Sequence, residues 1–126
     1  MKTDKLDRIF SEYIRLRDSD IHGIGRCISC GKFVHWKDAD CGHFVKRQYM
    51  SLRYSEENCN LQCRYCNYFL QGNDYNYFLG LEKKYGEGIT KKLMMAKNST
   101  MKFTQFEINE LTKYYGEKVK QLIDKL

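Results

Sequence analysis

No stretch of this 126-residue sequence approaches the ~18 consecutive apolar residues that a membrane span requires. Its first residues, Met1-Lys2-Thr3-Asp4-Lys5, lack the apolar stretch of a secretory signal peptide. Together these absences lead us to expect a protein made and kept inside a cell, with no membrane partner. Proline is also missing, and there is no internal repeat or low-complexity tract, which excludes repeat architectures and biased linkers. What is plentiful points elsewhere. Aromatic residues make up 14% of the chain, ten of them tyrosine, which argues against disorder. Lysine and arginine number 22 against 16 acids, a net charge of +6, and such an excess suggests a polyanionic partner. The length fits one domain, residues 1–126, with a modest core for which any staple matters.

The first 20 residues read as a helix, with Leu6, Ile9, Phe10, Tyr13 and Ile14 forming an apolar stripe. Glycines at 23 and 25 then break the period. Phe33-Val34-His35-Trp36 and Cys41-Gly42-His43-Phe44-Val45 are short β-prone runs, which suggests that they pair as an antiparallel ribbon. Residues 46–62 read as an irregular loop, and a helix is expected from Gln62 to Gly72. Asn73 or Asp74 could cap a segment through Tyr85, and another helix follows Gly86-Glu87-Gly88. Thr104-Gln105-Phe106-Glu107 fits a capping box. The helix it opens carries a stripe at Ile108, Leu111, Tyr115, Leu122 and Leu126, able to pack on the core or to form a homodimer seam. Tyrosines 65, 68, 75 and 77, at helical spacing, read as packing residues.

Six cysteines in an intracellular chain are thiols, and four of them form two C-x-x-C pairs, Cys27/Cys30 and Cys63/Cys66. Four thiolates close a tetrahedral zinc site with no open position, so the metal is structural and contributes folding free energy. The 32 residues between the pairs exceed the usual spacing, and an inserted functional segment is expected there. Cys41 and Cys59 are left as semi-buried thiols. His22 and His35 have no motif around them.

His43, Asn58 and Asn67, the last directly after Cys66, give the order His, Asn, Cys-x-x-Cys-Asn, the skeleton of the HNH or ββα-metal nucleases. Mechanically, a ribbon histidine activates water and a middle asparagine pins the loop that orients it. A helix residue beside the last thiol holds a hard divalent cation, Mg²⁺ or Mn²⁺. The run from Cys41 to Gln48, then Leu52-Arg53-Tyr54, then Glu57-Asn58-Cys59-Asn60-Leu61-Gln62-Cys63-Arg64-Tyr65-Cys66-Asn67, resembles the NinG (Rap) family of phage recombination nucleases. The likeness covers residues 26–95 and includes Tyr68-Phe69-Leu70-Gln71-Gly72-Asn73 and Tyr85-Gly86.

The resemblance implies an α+β fold, a small zinc-bound ββα-metal core (26–72) with helices at both termini (1–20 and 73–126). It also implies a protein of the bacterial host cytoplasm that cleaves branched DNA such as Holliday junctions or D-loops. By position, Cys27, Cys30, Cys63 and Cys66 match the zinc ligands, His43 the general base, Asn58 the middle asparagine and Asn67 the metal ligand. One position departs from the common pattern: Gly42 stands where an Asp or His usually precedes the base. Asp40 is then a nearby carboxylate, yet in an extended strand it faces away from His43 and lies about 10 Å off. A bulge at Gly42 would bring it back, and water with the DNA phosphate is the alternative ligand set. Lys46, Arg47, Arg53 and Arg64 surround these residues as phosphate contacts. Against the nuclease stands a reading as a non-catalytic, zinc-stabilised DNA-binding module, which the missing acidic neighbour of His43 favours.

Overall fold

Two short antiparallel ribbons occupy the middle of the chain and helices occupy both ends. The computed structural model describes residues 1–126. Their order is helix α1 (Asp4–Arg17), strands β1 (Ile24–Arg26) and β2 (Phe33–His35), a 3-10 turn (Trp36–Asp38), strand β3 (Ala39–His43) and short helix α2 (Met50–Arg53). Strand β4 (Cys59–Cys63), a π-helical turn (Tyr65–Phe69) and helices α3 (Asp74–Tyr85), α4 (Ile89–Ala96) and α5 (Gln105–Asp124) complete it. This is a small mixed α+β arrangement. No helix is long and apolar enough to cross a membrane.

The two β-prone runs do not pair with each other. β2 pairs with β1, Ile24 opposite His35, and β3 pairs with β4, from Ala39 opposite Cys63 to His43 opposite Cys59. The reason is local: the 3-10 turn separates the runs, stabilised where the His35 ring accepts a hydrogen bond from the Lys37 amide. The true partner of β3 lay inside the segment read as loop. All five residues of β4 are buried, and Cys59-Asn60-Leu61-Gln62-Cys63 alternates apolar and polar residues, a strand signal that the loop reading passed over. The expected helix from Gln62 is corrected with it. The strand runs through Cys63, and the turn after it is wound wider than an α-helix, with the Leu70 amide bonded to the Tyr65 carbonyl. Gly72, at φ +102°, ends it where a side chain would be strained.

Helix α1 forms as its stripe dictates, with acids in its first turn and arginines in its last, both favourable to the helix dipole. Leu6, Phe10 and Ile14 bury against Cys59 of β4 and Ile108 and Tyr115 of α5. Each fully buried side chain of this size contributes about 1.5–3 kcal/mol. The capping box at α5 is complete: the Thr104 hydroxyl accepts from the Glu107 amide and the Glu107 carboxylate accepts from the Thr104 amide. The buried positions of α5 are Ile108, Tyr115 and Val119, whereas Leu126 is exposed. That stripe is taken up by α1 within the chain.

A second cluster joins Val45, Leu52 of α2, Tyr77 and Leu81 of α3, and Ile89 and Leu93 of α4. The Tyr77 hydroxyl donates to the Gly42 carbonyl at 2.6 Å and accepts from the Asn60 side chain at 3.2 Å, tying α3 to both strands. Asp18, at the end of α1, does the same for β4 and α3. Its carboxylate accepts from the Leu61 amide, Arg17 and Lys84, each at 2.9 Å. Of the four tyrosines read as packing residues, only Tyr77 is buried; Tyr65, Tyr68 and Tyr75 stand in solvent.

Candidate functional site

The two C-x-x-C pairs meet. β1 and β2 hold the turn carrying Cys27 and Cys30 against the end of β4 and the π-helical turn, which carry Cys63 and Cys66. All four sulfurs lie within 4.8 Å of one another, with Cys30 and Cys63 3.8 Å apart. A tetrahedron with Zn–S bonds of about 2.3 Å has edges of about 3.8 Å, so the spacing fits zinc with little adjustment. Amides of Cys30 and Cys66 point at the sulfurs of Cys27 and Cys63, and the Asn73 amide group points at Cys66 Sγ. These donors favour thiolates. Burial, together with the neighbouring thiols, pushes Cys66 up to about 12, so its proton leaves at neutral pH only in exchange for a cation. The four cysteines could hold a zinc ion.

Along the open edge of the same ribbon runs a cleft of about 650 Å³. Asp40 and His43 of β3, Asn67 of the π-helical turn, and all four expected cations, Lys46, Arg47, Arg53 and Arg64, line it. Asn67 donates to the Asp40 carboxylate at 3.0 Å, leaving its own carbonyl oxygen free. The register from Ala39 to His43 is continuous, so Gly42 is not a bulge. Asp40 borders the cleft beside His43 nonetheless. β3 has one strand neighbour, and side chains from both of its faces reach the cleft along its open edge.

The His43 ring is held by one contact, Nε2 to the Arg53 carbonyl at 2.9 Å. A carbonyl only accepts, so Nε2 carries the proton and Nδ1 keeps the lone pair. Burial holds the imidazole below its ordinary 6.5; the Arg53 carbonyl and Asp7 oppose this, while the Arg47 and Arg53 charges add to it. The neutral form therefore prevails at neutral pH. Asn58 does not reach the cleft. It is fully buried behind it, donating to the Val45 and Leu52 carbonyls and accepting from the Val45 amide, which pins both ends of the 45–52 segment.

Gly42 has a steric cause. A side chain there would run into that of Gln62, which is buried and donates to the Gly72 carbonyl at 2.7 Å and to Ser29 at 2.9 Å. The position before His43 is thus closed to a metal-binding side chain. The basic residues, in turn, are each paired with an acid. Lys46 meets Asp74, Arg64 meets Asp40, and Arg47 and Arg53 both meet Asp7 of α1. Arg53 is only 17% exposed and doubly bonded to Asp7, whereas Arg47 and Arg64 are 60% and 61% exposed. Sequence reasoning missed Asp7. It sits on the polar side of an ordinary amphipathic helix, far along the chain from every motif, and no spacing marks it.

Cys41 and Cys59 form a second group with His43, their ligating atoms also within 4.8 Å of one another. Cys59 is fully buried, deeper than the sequence suggested, and its thiol points at the Arg53 carbonyl at 3.7 Å, the acceptor that His43 also uses. Burial pushes that thiol well above its ordinary range.

No curated protein and no solved structure matches the chain. A family model described as the bacteriophage lambda NinG protein does, over residues 2–125. That span takes in the thiol cluster, the cleft and the helices at both ends, and the chain belongs to the NinG family.

Proposed function

We propose that this chain is a metal-dependent endonuclease of the HNH, ββα-metal kind, hydrolysing phosphodiester bonds in branched DNA formed during phage recombination. One observation carries the reading: the Asp40–Asn67 pair and a histidine of fixed tautomer share a single cleft with four cations. His43 Nδ1 takes the proton of the attacking water, and the Arg53 carbonyl keeps the ring turned toward it. Asn58 holds the segment that carries that carbonyl. Asp40 and the free Asn67 oxygen offer the hard donors that suit Mg²⁺ or Mn²⁺. Bound there, such a cation supplies charge neutralisation at the phosphate and the leaving oxygen. Arg47 and Arg64 reach solvent and meet the DNA backbone. The thiol cluster, with zinc, fixes the turn on which Asn67 rides.

Gly42 supports a second reading, a zinc-stabilised module that binds DNA without cutting it, since the usual acidic ligand position is closed. A nicking assay separates the two. Supercoiled plasmid and a four-way junction are incubated with the protein, with Mg²⁺ or Mn²⁺ added or left out, and His43→Ala serves as control. Metal-dependent cleavage by the parent and none by the variant supports the nuclease. Cleavage by both at one rate removes His43 as the base and with it this mechanism; cleavage by neither hands the assignment to the binding module.

A further inference from the structure

The π-helical turn between the thiol cluster and the cleft carries three large rings that nothing in the chain covers. Tyr65, Tyr68 and Phe69 are 60%, 74% and 70% exposed. They touch one another, Tyr65 and Phe69 at 5.9 Å between ring centres and Tyr68 and Phe69 at 5.3 Å with planes near perpendicular. The backbone under them is rigid. Cys66 is buried in the thiol cluster, the Gly72 amide bonds to the Cys66 carbonyl, and Gln62 bonds to the Gly72 carbonyl. Exposed apolar side chains on a fixed support mark a contact surface.

We infer that this turn is a stacking platform for unpaired nucleobases, and that it directs the cleft toward DNA whose strands have separated. The inference rests on the nuclease reading for the identity of the polymer; the choice of bases over another apolar partner rests on charge and continuity. Residues 64–73 contain no acid, and Arg64 and Lys46 flank the turn. Tyr68 and Gln71 are themselves part of the cleft wall beside Asn67, so a strand with its phosphates on the cations brings its bases to the rings. Aromatic rings on a basic track are how single strands are held without sequence preference. A paired duplex hides its base faces in the stack and offers these rings nothing.

The test measures binding and cleavage separately. Full-length, zinc-loaded protein is titrated, with Ca²⁺ in place of Mg²⁺, onto a labelled single strand, a Y-shaped fork and a blunt duplex. The fork carries 2-aminopurine at its branch. Tyr68→Ala and Phe69→Ala should each lose roughly ten-fold in affinity for fork and single strand, the loss expected for one stacked base. Duplex affinity and zinc content should not change. Tyr68→Phe, which keeps the ring, should bind like the parent, and Tyr68→Leu, which keeps only the apolar surface, like Tyr68→Ala. Parent protein should quench 2-aminopurine beyond free fork, and the alanine variants should not. Equal loss on duplex and fork, unchanged affinity, or a parent dimer that the alanine substitutions split without altering binding would each overturn the platform. Quenching by the parent with no cleavage in Mg²⁺ leaves the platform standing and removes the nuclease; cleavage with no quenching does the reverse.

Discussion

The two ends of the β3–β4 ribbon each gather thiols within 4.8 Å, and they differ in the donors and acceptors that face the sulfurs. At the Ala39–Cys63 end, backbone amides point at the sulfurs, the arrangement that stabilises thiolates, and no acceptor takes an S–H outside the cluster. At the His43–Cys59 end, the Cys59 thiol and His43 Nε2 both aim at the Arg53 carbonyl, which accounts for their protons as neutral groups. Proximity of ligating atoms does not distinguish a metal centre from a hydrogen-bonded cluster. The surrounding donors and acceptors do.

The contrast is tested most strongly at Cys63. Structural zinc contributes apparent free energies of about 10–16 kcal/mol, comparable to or larger than the roughly 5–15 kcal/mol that holds a domain folded. Cys63→Ser should lose its zinc by elemental analysis and its cooperative thermal transition by circular dichroism. A folded, zinc-free Cys63→Ser protein would sink the metal assignment. Next in size is His43→Ala, where cleavage should fall by about 10²–10⁴-fold with zinc content and melting unchanged. Asn67→Ala should also lose cleavage but regain part of it as Mn²⁺ is raised, which His43→Ala should not. Identical metal rescue of both would remove the distinction between base and ligand.

A smaller loss is expected at Cys59. Cys59→Ser places a hydroxyl in a buried apolar setting and should cost about 1–3 kcal/mol in urea unfolding while zinc stays bound. Loss of zinc there would mean that the two thiol groups are one system. The smallest effect concerns acid. Burial raises the Asp18 carboxyl, but Arg17, Lys84 and the Leu61 amide lower it further, and its net value lies below the ordinary 3.8. The unfolded chain therefore takes up the proton first on acidification. Asp18 contributes fully above 3.8, and the contribution is lost as pH falls through its folded value. Melting temperatures followed into acid should drop less steeply for Asp18→Asn than for the parent; parallel curves would exclude it.

Legibility in the sequence followed the range of the interactions. The thiol pairs, the α5 capping box and the α1 stripe are set by residues within a turn or two of each other, and spacing revealed them. β4 escaped although Cys59-Asn60-Leu61-Gln62-Cys63 alternates apolar and polar residues, because a five-residue run holding Asn and Gln, depleted in strands, was absorbed into the polar loop before it. Asn67 beside Asp40 was half legible: each was named as a ligand, and strand parity does set Asp40 and His43 on opposite faces, but the open edge along which both faces reach the cleft was not foreseen. Asp7 and the Gln62 side chain that closes Gly42 act across the fold, and only the fold shows them.

Asp7 also sets how much free positive charge the cleft presents. It holds the Arg53 guanidinium through two hydrogen bonds, while Arg47, in looser contact with the same carboxylate, stays exposed. Each further phosphate contact steepens the fall of log affinity with log salt by about 0.9 on duplex DNA, regardless of sequence or shape. If the chain binds DNA as proposed, an unrestrained Arg53 would strengthen attachment to the vast excess of ordinary duplex, against which branched sites would have to compete. On the proposed DNA-cleaving reading, this α1 carboxylate would act as a governor, limiting indiscriminate adhesion and leaving strand geometry to decide where the protein stays.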